Sequence, residues 1–167
     1  MGRERAKRLS IRVDLAAQRL DLAAGGRIIA SYSVSTSKHG AGELAGSYCT
    51  PRGGHVIRAK IGTGAPLGAV FRGRRPTGEI YTEELARSQP DRDWILTRIL
   101  WLSGTELGRN RLGDVDTMRR YVYIHGAPDS AALGVPGSIG CVRMANRDIV
   151  ELFDRVPVGT AVNIVEG

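Results

Sequence analysis

Two scarce residue types carry most of the reactive capacity of this chain, with two cysteines and three histidines in 167 residues. One of each flanks the stretch "IHGAPDSAALGVPGSIGCVRM", residues 124–144, with fifteen residues between His125 and Cys141. A thiol becomes a nucleophile when a neighbouring base or positive charge holds it as thiolate. His125 is the candidate base, and Arg143, two residues past the thiol, adds positive potential. Gly140 lets the backbone adopt conformations barred to other residues and lets a substrate carbonyl come close. The N–H groups of Gly140 and Cys141 are then placed to meet a developing oxyanion. Nucleophile, base and oxyanion donors are the parts of an acyl-transfer site. Spacing alone leaves a plainer reading open: Cys141 as a small core residue, His125 as a hydrogen-bonded strand-end residue, Arg143 as an ion-pair group.

These residues need elements to hold them. In "RRYVYIHG" a strand would set Tyr121, Tyr123 and His125 on one face and Val122 and Ile124 on the other. An extended "CVRM" likewise puts Cys141 and Arg143 on one face and Val142 and Met144 on the other. Asn146 is then expected to cap a helix, with Asp148 in its first turn. Ile149, Leu152, Phe153 and Val156 recur at helical spacing, and Pro157 ends the pattern. Upstream, "IRVDL", "RLDL" and "RIIASYSVS" read as an antiparallel meander. A turn at Pro51–Gly54 leads into another strand, "WILTRILWL" reads as a strand buried on both faces, and "GTAVNIVE" closes the chain. Residues 72–92 read as loop, with one helical turn around Thr82–Arg87. The expected fold is mainly β, a single sandwich- or barrel-like domain over residues 9–167 behind a basic extension at residues 1–8, with one short helix after the cysteine.

Composition narrows the partners. Hydrophobic content of 42% and charged content of 25% suit a globular chain long enough to bury its own core. No stretch approaches the ~20 apolar residues that span a bilayer, so no membrane anchor is expected. No apolar segment follows the basic start, which points to a cytoplasmic protein, or to a periplasmic or cell-wall one whose leader has been removed. The net charge is +7 and aromatic residues are only 5%. The arginine clusters at residues 3–8 and in "FRGRRP" are not interleaved with aromatics, which argues against nucleic acid as a partner. The positive balance suits a carboxylate-rich substrate.

A metal-binding module is the alternative from another class, with Cys49, His55, His125 and Cys141 as a Cys₂His₂ set. Zinc ligands usually come in close pairs, whereas here the intervals are five and fifteen residues, so no metal is expected. Cys49 reads more simply as a core or turn residue, and pairing it with Cys141 would silence the thiol. His39 lies in a glycine-rich loop. "GTGAPLG" has a proline where a dinucleotide loop opens its helix, and "GSIG" lacks the pattern of a serine nucleophile elbow, so Ser138 is a poor nucleophile.

The histidine-glycine pair, the loop, "S-x-G-C-V-R-M" and "N-x-D" together resemble the signature of the L,D-transpeptidase (YkuD-type) catalytic domain. The likeness extends, more softly, through "IRVDLAAQRLDL", "STSKHGAG", "TPRGGHVIRAKIG" and "LFDRVPVGTAVNIVE". It implies a β-sandwich-like fold and a cysteine that attacks the L,D bond before the terminal D-Ala of a peptidoglycan tetrapeptide stem, leaving a thioester. Carried over by motif position, Cys141 is the nucleophile and His125 the base, and the Gly126 carbonyl orients the imidazole. Ser138, Gly140 and Arg143 shape the oxyanion and substrate side, where Tyr123 is counted with them. No cofactor is implied, and the partners are peptidoglycan stem peptides or muropeptides. Many members carry histidine where this chain has Ile139, which bears on the acceptor side. Water as acceptor would make the chain an L,D-carboxypeptidase that trims recycled muropeptides, the reading slightly favoured. An amine acceptor would make it an exported cross-linking transpeptidase.

Overall fold

A computed structural model describes residues 7–167. Most of the basic extension, residues 1–6, therefore lies outside the described residues. Strands β1 (Leu9–Asp14), β2 (Arg19–Ala24) and β3 (Arg27–Ser35) form the expected meander. Then follow β4 (Gly53–Ile61), a hairpin of β5 (Ala69–Arg72) and β6 (Arg75–Ile80), and a short helix α1 (Glu83–Ser88). Next come β7 (Ile95–Gly104), β8 (Tyr123–Ala127), β9 (Val142–Ala145), the helix α2 (Asn146–Arg155) and β10 (Ala161–Val165).

Eight strands pair in the order β4-β10-β1-β2-β3-β9-β8-β7, and β7 pairs back with β4, closing a barrel. Closure leaves none of these eight as a free edge. Alternation in β1 shows the inside: Ile11 and Val13 are buried and Arg12 is exposed. One core cluster joins these residues to Leu100, Ile124, Met144 and the α2 residues Ile149, Leu152 and Phe153. In α2 those residues make one apolar face against β7, β8 and β9. Lys60 of β4 closes the other end of α2, donating from Nζ to the carbonyls of Phe153 at 2.7 Å and Val156 at 2.8 Å.

The apolar run of β7 has a structural reason. Leu100 and Leu102 face the main core, while Ile99 lies in a second cluster with Ala69 and Phe71 of the hairpin and Tyr123. The strand is thus covered on both faces, as its sequence implies. No described helix is long and apolar enough to cross a membrane.

Three local expectations change. The segment read as loop contains the paired strand β6, whose residues are mostly exposed. A strand paired on one side only and packed on little needs no hydrophobic alternation. Asn146 is the first residue of α2 rather than its cap, and Ala145 precedes the helix without a side-chain cap bond. The Asn146 side chain instead accepts from Thr97 Oγ1 at 2.5 Å. Tyr121 has φ +56° and sits in the turn before β8, so the strand face begins at Tyr123.

Candidate active site

The site is built on a parallel pair. β8 and β9 run side by side with Ile124 opposite Val142 and His125 opposite Arg143. Parallel neighbours need a long crossover, and residues 128–141 supply it. Because the strands run the same way, the crossover returns the chain to the start of β8, bringing Cys141 level with Tyr123. The Tyr123 N–H donates to Cys141 Sγ at 3.3 Å, and the thiol donates to the Tyr121 carbonyl at 3.5 Å. Side chains opposite one another on adjacent strands share a sheet face. Tyr123, His125, Cys141 and Arg143 therefore stand on one face, while Ile124, Val142 and Met144 enter the core.

The turn into the cysteine is held by named contacts. Gly140 has φ +132°, a conformation open chiefly to glycine. Its carbonyl accepts from Thr50 Oγ1 at 3.0 Å. Ser138 is buried, and its Oγ donates to the Cys141 carbonyl at 2.6 Å and accepts from the Gly140 N–H at 3.2 Å. Of the two N–H groups expected at the oxyanion, that of Gly140 is thus already engaged by Ser138, whose hydroxyl braces the turn.

Two histidines are buried, and the contrast between them is informative. His55 bonds Gly53 O through Nδ1 and Thr117 Oγ1 through Nε2, both at 2.9 Å, and burial pushes its pKa down to about 4. Both ring nitrogens are satisfied, which makes it a core residue. His125 is 1% exposed, its Nδ1 lies 2.7 Å from the Gly126 carbonyl, and its Nε2 has no partner. A carbonyl only accepts, so Nδ1 carries the proton and Nε2 presents a bare lone pair. Burial also lowers the pKa of His125, against smaller opposing effects of the Gly126 carbonyl and Asp93. At neutral pH the ring is an uncharged base.

Gly126 is required by close approach. A Cβ there would lie 2.5 Å from Asn146 Oδ1 and 2.6 Å from the Leu96 carbonyl.

The thiol is held neutral as well. Removal of the sulfur from water pushes its pKa up to about 12, with the Tyr123 N–H pulling it down, Asp93 pushing it up, and Arg143 and Arg120 pulling it down. Arg143 does bring positive charge to the thiol's face, but it is shared: Nη2 pairs with Asp93 at 3.0 Å and Nη1 donates to the Gly137 carbonyl at 3.1 Å. Cys141 opens onto a cleft of about 310 Å³ lined by Tyr48, Arg119, Arg120, Tyr121, Ile139 and Gly140, among others. Tyr123 is buried, and its hydroxyl accepts from Arg74 Nη1 at 3.0 Å. The Arg74 guanidinium stacks 4.8 Å from the Trp101 ring centre and 4.7 Å from that of Tyr121.

All seven residues singled out from the sequence gather around the β8–β9 pair, with Ser138 turned to the loop and the Tyr123 hydroxyl turned to the hairpin. Sequence reasoning missed Asp93, Arg120, Tyr48 and Arg74, which come from four separate connecting segments. Arg120 alone had a signal, since it abuts the histidine strand. The four-residue metal set does not converge. Among the described residues no three His, Cys, Asp or Glu side chains are grouped as a metal ion needs, and Cys49 and Cys141 are both free.

Known proteins resemble this chain in sequence and in fold. The protein named "Probable L,D-transpeptidase ErfK/SrfK" of Escherichia coli is 47% identical over 47 residues, 28% of this chain and 15% of that one. The YkuD protein of Bacillus subtilis is 44% identical over 46 residues, 28% of each chain. The matched stretch is thus a small part of either relative. Among solved structures, an L,D-transpeptidase from Mycobacterium smegmatis superposes with a TM-score of 0.58 at 20% identity, over 95% of this chain and 59% of that one. The LD transpeptidase LdtMt1, solved in complex with imipenem, gives 0.57 at 19% identity over the same shares. These structures share the fold. The sequence model of the L,D-transpeptidase catalytic domain, YkuD, matches residues 8–164, nearly the whole chain. The chain belongs to the YkuD family of L,D-transpeptidase catalytic domains.

Proposed function

We propose that this domain transfers acyl groups from peptidoglycan tetrapeptide stems through a Cys141 thioester, with His125 as the base. The observation that carries this is the unpartnered, buried Nε2 of His125 on the sheet face that holds the thiol. An orphaned polar atom at that depth is costly, and a role in proton transfer accounts for its being kept. As Cys141 Sγ attacks the carbonyl carbon before the terminal D-Ala, the S–H proton passes to Nε2 and the carbonyl electron pair moves onto oxygen. Collapse of that adduct breaks the C–N bond, His125 returns the proton to the departing amine, and D-Ala leaves. Water or an amine then attacks the thioester, loses its proton to Nε2, and regenerates the thiol. The Gly126 carbonyl keeps Nδ1 as the protonated nitrogen throughout, which leaves Nε2 free for the exchange. Arg143 and the Cys141 N–H act on the developing negative charge.

Water is the acceptor we favour. Ile139, 43% exposed at the cleft, offers no hydrogen bond to an incoming stem. A trimming enzyme for recycled muropeptides belongs in the cytoplasm, which fractionation of the producing cells would test. Incubation with a tetrapeptide stem, with and without an acceptor stem, distinguishes the reactions by product mass. Release of D-Ala alone is the expected result, a cross-linked dimer would establish amine transfer, and an unchanged tetrapeptide would overturn the assignment. Cys141→Ala should abolish release while the protein stays folded. By the same attack, a carbapenem such as the imipenem bound by LdtMt1 should add its mass to Cys141 but not to the alanine variant.

A further inference from the structure

Arg120 is a half-buried cation in the cleft of the thiol with no carboxylate bound to it. Its guanidinium donates to the Gly42 carbonyl at 3.2 Å, Ser47 Oγ at 3.4 Å and the Cys49 carbonyl at 2.6 Å. All three acceptors are neutral, so they fix the group in place without a carboxylate in contact, and Glu43, the carboxylate that acts on it from a distance, is already paired with Arg52. Among the described residues it forms no ion pair, whereas Arg143, two residues past the thiol, is matched by Asp93. Arg119 also lines the cleft but is exposed, where water screens its charge. The Arg120 charge is felt at Cys141, where it favours the thiolate.

We propose that Arg120 binds the free terminal carboxylate of the donor peptide and so selects stems that end one residue beyond the attacked bond. This rests on the acyl-transfer reading above and adds its specificity. The geometry follows from bond lengths. In a peptide ending in D-Ala the terminal carboxylate carbon is three bonds from the carbonyl carbon under attack, so its oxygens lie roughly 4–5 Å from that carbon. A cation that recognises it must share the cleft with the sulfur without competing for the carbonyl oxygen. Arg120 meets both conditions, because it lines the cleft with Cys141 while its guanidinium is held on the loop of Gly42, Ser47 and Cys49, away from the turn that carries the Cys141 N–H. Three of its five N–H groups are engaged, which leaves donors for a carboxylate. A stem extended by another residue would carry a neutral amide there and lose the charged contact.

The test compares a tetrapeptide stem with a free carboxylate against the same stem capped as its terminal amide. Release of D-Ala or of D-alaninamide is followed by mass spectrometry to give kcat/KM for each. The wild-type chain should favour the acid by roughly 10-fold to 100-fold, the range of a charge-assisted contact. In Arg120→Gln that ratio should fall towards one, and in Arg120→Lys part of it should remain. Each variant processes both substrates, so damage to fold or nucleophile divides out of the ratio. A ratio near one in the wild type, or one unchanged in Arg120→Gln while both rates drop together, would overturn the proposal and leave Arg120 as a tie between loops. A wild-type chain that cleaves neither stem would instead refute the acyl-transfer reading itself.

Discussion

The His125 imidazole is fixed by its own neighbour: Nδ1 donates to the Gly126 carbonyl over 2.7 Å, and this contact leaves Nε2 as the basic atom. Removing the ring by His125→Ala should lower the rate of D-Ala release by roughly 10²–10⁴-fold, the usual contribution of a general base. The acid limb of the wild-type pH profile should fall below 6.5, because burial lowers the pKa of the ring and it remains a base there. Steady-state release between pH 4 and 8 checks both.

Gly126 should tolerate no side chain. Gly126→Ala forces a methyl group against Asn146 Oδ1 and the Leu96 carbonyl, both fixed by the start of α2 and by β7. Overpacking of this kind costs about 1–3 kcal/mol and shifts backbone. Denaturation midpoint and D-Ala release should drop together. A variant with native stability and native activity would contradict the packing described.

The resting thiol should be unreactive for a cysteine. With its pKa pushed up to about 12, alkylation of Cys141 by iodoacetamide should still be rising at pH 9 rather than levelling off. Asp93→Asn removes a charge that opposes thiolate formation and frees Arg143, so the rise should move to lower pH. A plateau below pH 7 in the wild type would mean a preformed thiolate–imidazolium pair, contrary to this account.

His55 should make the fold acid-sensitive without touching the chemistry. Its pKa is lowered from 6.5 to about 4 in the folded chain, so the unfolded chain binds the extra proton first as pH falls. Its contribution to stability is complete above 6.5 and is lost progressively towards pH 4. The total is about 3 kcal/mol at roughly 1.4 kcal/mol per pH unit. Urea midpoints across that range should decline in the wild type and flatten in His55→Gln.

Arg74 should pin the hairpin to the barrel. Its stacking on Trp101 and Tyr121 and its bond to the Tyr123 hydroxyl join the β5–β6 turn to the residues around the thiol. Arg74→Ala should cost roughly 1 kcal/mol and speed amide exchange in residues 69–80 before the barrel strands. Equal protection in both proteins would refute the latch.

What the sequence determined by itself were the periodic and the motif-bound parts. Alternation marked the meander, the continuous apolar run marked β7, and helical spacing marked α2, because burial of one face writes a period into the chain. The histidine and cysteine could be found because their types are scarce and the glycines beside them serve close backbone approach. Tertiary structure alone decided the rest. Barrel closure through β4 and β7 and the parallel pairing of β8 with β9 depend on which distant segments meet, and no local period records that. The same holds for Asp93, Arg120, Tyr48 and Arg74, ordinary surface types in four unrelated connecting segments. The protonation of Cys141 and His125 also belongs to the assembled molecule. A thiol and an imidazole are neutral or charged according to how much water and countercharge surround them, and only the folded chain sets that.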